Sequence, residues 1–100
     1  MFIFKNKSTT TAWLWTDADN RWKYADESQK KVNDFISKIS NLEGVKHSGC
    51  NRRQKLWSDG ERTYYYFTKV TYPNSHRDAI SSACKSCNLV YSSTYPFKDF

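Results

Sequence analysis

The spacing of apolar residues changes period several times along the chain, and each change predicts an element. Residues 2–7 start apolar and suit a short edge strand, followed by a polar linker, Ser8, Thr9, Thr10 and Thr11. Two short aromatic runs, residues 12–15 and 21–24, flank the turn-rich residues 16–20, which predicts a first hairpin. The period then lengthens. Val32, Phe35, Ile36 and Ile39 form an i, i+3, i+4, i+7 stripe that Leu42 extends, with Asp26 and Gln29 as a capping-box start and Gly44 as a stop. A second hairpin is expected over residues 45–72, closed by Pro73, which cannot donate to a sheet ladder. Ala79, Ile80, Ala83, Cys84 and Cys87 make the narrow apolar face of a second helix, with Asn74 or Ser75 as its cap and Asn88 at its end. A last strand over residues 89–95 leads through Pro96 into a polar end.

This order predicts one α+β domain over residues 1–100, with residues 1–10 as edge strand and linker and 96–100 as the polar C-terminal end. It fits a βαββαβ sandwich whose first β element is a hairpin, an antiparallel sheet with two helices on one face. The other face is then free. A short match, Leu14-Trp15-Thr16-Asp17 against Leu56-Trp57-Ser58-Asp59, raises the possibility of an internal duplication in which each copy precedes a turn.

Register decides what the second hairpin displays. If Asp59 and Gly60 supply the two positive-φ positions of a type I′ turn, Trp57 faces Arg62, Lys55 faces Tyr64, and Arg53 faces Tyr66. These six side chains would share one face as a ladder of cations and rings, while Leu56, Tyr65 and Phe67 turn to the core. Arg52 falls on the side opposite the ladder. A loop one residue longer would shift the pairing and take the ladder apart.

Charge gives that face a chemical meaning. The chain carries sixteen Lys and Arg against ten Asp and Glu, a net +6. Residues 46–69 hold six basic residues (Lys46, Arg52, Arg53, Lys55, Arg62, Lys69) and two acidic ones (Asp59, Glu61), so +4 of the charge is concentrated there. Clustered cations interleaved with rings suit nucleic acid: Arg52, Arg53, Lys55 and Arg62 would meet phosphates, and Trp57, Tyr64 and Tyr66 would stack on bases. The topology, with Tyr64, Tyr65, Tyr66 and Phe67 on the third strand, resembles that of RNA-recognition motifs, which place stacking rings on two central strands. The chain lacks that family's octapeptide spacing of Lys or Arg, Gly and an aromatic residue, and it is not placed in the family. The bland alternative is a hairpin stabilised by exposed Lys-Tyr and Arg-Tyr pairs with no ligand. A second functional reading is a protein-interaction module, an inhibitor or adaptor docking a basic aromatic face on an acidic partner protein. A Tyr-rich face could also pair with its own copy, so monomer and homodimer are both compatible with the sequence.

The remaining chemistry is sparse. His47 and Cys50, with Cys84 and Cys87, match the ligand count and local spacing of a structural zinc site. Against zinc, Cys84 and Cys87 sit on the apolar face of a predicted helix, where buried thiols are ordinary core residues. No cofactor is therefore expected. Asp17 and Asp19 read as a solvated turn, His76 beside Arg77 as a phosphate contact or an exposed side chain, and no catalytic motif is present, so no enzyme is expected. No apolar run reaches the roughly 20 residues of a membrane span, and an odd cysteine count with no disulfide framework suits a reducing cytoplasm.

Overall fold

The first strand grows from the run of β-branched and aromatic residues that follows Ser8. The protein is described here by a computed structural model covering residues 8–18 and 22–98, with the backbone alone at 22–24. In it β1 spans Thr9–Ala18, turning Ala12, Leu14, Thr16 and Ala18 inward and Trp13, Trp15 and Asp17 to the other face. Helix α1 follows at Trp22–Ile39, then β2 at Lys46–His47, β3 at Asn51–Leu56 and β4 at Arg62–Pro73. One 3-10 turn, Asn74–His76, leads into α2 at Arg77–Ser86, and β5 spans Val90–Ser92.

Every pairing is antiparallel. β4 and β1 form the centre, β5 lies outside β1, and β2 and β3 share the edge outside β4. Two split β-α-β units thus interleave, because β4 inserts between β1 and the β2–β3 edge while β1 inserts between β4 and β5. The expected α+β architecture is present: one antiparallel sheet and two helices packed on one of its faces.

The core lies between that face and the helices. Val32, Phe35 and Ile39 of α1 and Ile80 of α2 are fully buried against Ala12, Leu14, Val70 and Tyr72 of the sheet. Each large apolar side chain removed from water in this way contributes about 1.5–3 kcal/mol. The predicted stripe of α1 is therefore its core face, and it continues backward through Ala25 and the buried Ser28, whose hydroxyl donates to the Asp17 carbonyl at 3.0 Å.

Several local expectations are corrected. The first hairpin does not form. β1 runs on through Asp17 to Ala18, which pairs with Tyr64, and residues 22–24 are the first turn of α1. Runs of four residues carry no decisive period, and a ladder of ten residue pairs with β4 overrides the turn signal of residues 16–18. Thr9, Thr10 and Thr11 are not a linker but pair with Pro73, Tyr72 and Thr71. The expected edge strand at residues 2–7 and the loop residues 19–20 lie outside the described residues. Asn74 does not cap α2, since its side chain accepts from the Thr10 hydroxyl, and α2 has no side-chain cap. Asn88 does end that helix, at φ 58°. Gly44 has φ +82°, and a Cβ there would lie 3.0 Å from the Pro73 ring, so close approach adds to the conformational need for glycine.

Candidate functional site

The edge of the sheet is built by a bulge. His47 pairs with Val70 and Asn51 with Phe67, so three residues on the edge face two on β4. Gly49 takes φ +77° there, and the Ser48 hydroxyl fills the broken ladder by accepting from the Lys69 amide at 2.9 Å. Such an extra residue exchanges the faces of the strand that follows. It thereby sets which side chains β3 presents on each side.

The hairpin tip sets the register on the other side of β3. Gly60 N–H donates to the Trp57 carbonyl at 3.0 Å and Trp57 N–H to the Glu61 carbonyl at 2.8 Å, so the loop is Ser58-Asp59-Gly60, three residues long. Only Gly60 of the three has positive φ, +89°, and the Asp59 carboxylate accepts from the Glu61 amide at 3.0 Å. This is a turn followed by a left-handed glycine rather than a type I′ turn. The pairing is Leu56 with Arg62, Lys55 with Thr63, Gln54 with Tyr64, Arg53 with Tyr65, and Arg52 with Tyr66.

The expected one-sided ladder is therefore divided. Arg53, Lys55 and Trp57 keep a common face, now shared with Thr63 and Tyr65. Arg62, Tyr64 and Tyr66 turn to the helix side, where Arg52 joins them and lies over the Tyr64 ring at 5.3 Å. Tyr66 is only 6% exposed and belongs to the core, and Tyr64 packs against it, so neither is an open stacking ring. Trp57 remains 44% exposed, held by the Lys55 ammonium 4.3 Å from its ring and by its Nε1–H donating to the Thr63 hydroxyl at 2.9 Å.

What the division leaves is a ribbon that is cationic on both sides. Five of the six residues of β3 are exposed and Lys55 is half-buried, so neither face of this strand is covered. Arg52, Arg53 and Arg62 make no ion pair among the described residues. Acidic charge on the hairpin is confined to Asp59 and Glu61 at the tip.

The middle of the sheet behaves differently. Trp13 and Trp15 of β1 and Tyr65 and Phe67 of β4 line the face away from the helices, and the C-terminal segment folds back over them. Phe97 lies 5.7 Å from Trp15, 5.3 Å from Tyr65 and 4.9 Å from Phe67, ring centre to ring centre, and is 1% exposed. Tyr95 packs edge-on against Trp13 and Phe67. The expected polar end is thus an apolar cover, and the face expected to be free is occupied by the chain itself. Tyr65 and Phe67 do not enter the core under the helices as expected but are half-buried in this second layer, and Leu56, also expected in the core, is exposed at the strand end. The three-residue loop is the reason, because it turns the odd residues of β4 away from the helices. Trp13 and Lys69, 5.8 Å apart in a cation-over-ring contact, are further members of the basic region that the hairpin register left out.

The other candidate groups have structural partners. His47 Nδ1 accepts from the Gly49 amide at 2.9 Å, and His76 Nε2 lies 2.9 Å from the Glu43 carbonyl, to which it donates. Cys84 donates to the Leu89 carbonyl at 3.2 Å, and burial pushes the Cys50 and Cys84 thiols up, against the thiolate form zinc requires. Among the described residues no three His, Cys, Asp or Glu side chains are grouped to hold a metal, so His47, Cys50, Cys84 and Cys87 do not assemble the four-ligand site. The three cysteines are free, with Cys84 and Cys87 buried. No helix among the described residues is long and apolar enough to cross a membrane. Comparisons with protein-family models, curated proteins and solved structures find no match to this chain, so its functional reading rests on the charge and geometry of the hairpin.

Proposed function

We propose that the protein binds double-stranded nucleic acid in the cytoplasm through the β3–β4 hairpin, acting as a basic ribbon and not as a stacking platform. The observation that carries this reading is the uncovered β3 strand with Arg53 and Lys55 on one face and Arg52 and Arg62 on the other. A two-stranded ribbon is narrow enough for a groove about 12 Å wide, where phosphates lie to both sides of it. Cations on both faces suit that setting, whereas a single-stranded ligand would call for several open rings on one face. Trp57 is the one large open ring of the hairpin and would lie against the sugar-phosphate wall or a base edge. Three free thiols fit a reducing compartment.

The test is fluorescence anisotropy with labelled duplex DNA, single-stranded DNA and duplex RNA across a salt series. If all four cations meet phosphates, log affinity for duplex should fall against log salt with a slope near −3.6, from about −0.9 per contact. Replacing Arg52, Arg53, Lys55 and Arg62 by Ala should remove most of that slope. Absence of binding to every nucleic acid at low salt would overturn the reading and favour docking on an acidic protein.

A further inference from the structure

Away from the hairpin, a cleft of about 580 Å³ opens between α2 and the sheet. Its size is within the range of about 300–1,000 Å³ typical of small-molecule sites. Arg77, Ser81 and Lys85 of α2 stand at i, i+4 and i+8 and form one stripe along its rim. Cys84 and Leu89 give it an apolar floor, and both are buried. Among the described residues no acidic side chain lines it.

One end of the cleft is polar in a specific way. The Tyr72 and Tyr91 hydroxyls are 2.8 Å apart. Two hydroxyls carry two protons, and one is consumed in bonding the pair, so one O–H remains to donate to a ligand. Burial and the bond to Tyr91 push Tyr72 up to about 12, which keeps its own proton in place at neutral pH, while the nearby Arg77 charge acts in the opposite direction. A guanidinium and a spare hydroxyl at the same end form an anion anchor. Tyr91, 43% exposed, adds its ring to the apolar wall at the mouth.

We propose that this cleft binds a small amphipathic carboxylate, with the carboxylate on Arg77 and the Tyr72–Tyr91 hydroxyl pair and a compact apolar body over Leu89, Cys84 and the Tyr91 ring. Lys85, two helical turns beyond Arg77, keeps the rim positive along its length. No lining residue belongs to β3 or its loop, so this site is independent of the nucleic-acid reading.

Two-dimensional amide NMR titrations with hexanoate, its neutral counterpart hexanamide, and inorganic phosphate test the proposal. Hexanoate should shift Ser81, Lys85, Leu89 and Tyr91 saturably, leave Lys55 and Trp57 unmoved, and bind roughly tenfold more tightly than hexanamide, as a charge-assisted anchor requires. Arg77→Gln should weaken hexanoate by about tenfold, and Tyr91→Phe by a few-fold, through loss of the paired hydroxyl. Equal binding of hexanamide, phosphate shifting the same amides as strongly as hexanoate, an unchanged Arg77→Gln affinity, or no saturable shift would each overturn it.

Discussion

At the centre of the sheet Trp13, Trp15, Tyr65 and Phe67 lie beneath Tyr95 and Phe97, whereas on the β3–β4 hairpin Leu56, Trp57, Arg52, Arg53 and Arg62 are exposed. Both regions alternate large rings with polar residues along antiparallel strands. They differ in what reaches them. The C-terminal segment extends over the central strands and supplies two rings, while Leu56 near the tip remains 61% exposed. A ring on a strand is therefore core or surface according to whether another part of the chain can be laid over it, and strand propensity is silent on that point.

The largest expected effect bears on the covered region. Phe97→Ala should lower stability by about 3–5 kcal/mol in urea unfolding, the usual cost of removing a fully buried phenyl ring. A loss below about 1 kcal/mol would mean that the tail merely rests on the sheet. The same variant should leave the salt slope for duplex binding unchanged, since the hairpin's cations are elsewhere.

The pH dependence of the core comes next. Tyr72 is raised from its ordinary 10.0 to about 12 by burial and by its bond to Tyr91. Its folded form holds the proton more tightly than the unfolded chain does, so this contribution is complete below pH 10.0 and is lost as pH rises toward about 12. Unfolding curves across that window should show a fall that Tyr72→Phe reduces. An equal fall in the variant would assign the effect to the other tyrosines.

At the tip, Gly60→Ala should cost about 1–2 kcal/mol, because φ +89° places the new Cβ against backbone although nothing else lies nearby. No loss by thermal denaturation would imply a different loop and hence a different register. Trp57→Ala should cost about 1 kcal/mol through its contacts with Lys55 and Thr63, read by the same method. Smallest per residue, the fourfold replacement of Arg52, Arg53, Lys55 and Arg62 by Ala should change stability by no more than about 0.5 kcal/mol per site while removing duplex binding. A large stability loss would place these cations in the fold and not on its surface.

Much of the architecture was legible because it rests on strong periodicity. Val32, Phe35, Ile36 and Ile39 could only form one helical stripe, and Pro73 and Asn88 punctuate the chain where their backbone chemistry requires. The absence of a first hairpin is not legible in the sequence because residues 12–15 and 21–24 are too short to display a period, and Ala25 and Ser28 join the stripe of α1 only once a sheet is present for them to face. The repeat shared by residues 14–17 and 56–59 shows the same dependence on context. Leu14 is fully buried in mid-strand, whereas Leu56 is at an exposed strand end.

By itself the sequence determined the order of elements, the two-layer architecture and the concentration of positive charge between Lys46 and Lys69, since these follow from local spacing and composition. Tertiary structure decided which of those charges stand together. One added residue in the Ser58–Gly60 loop moved every β4 side chain to the other face, and one added residue in the edge bulge set the faces of β3. The C-terminal rings then covered the face that the two-layer pattern had left open. Each outcome depends on contacts between residues distant along the chain, where a single peptide unit reverses a side chain, and so the hairpin emerged as a ribbon charged on both sides.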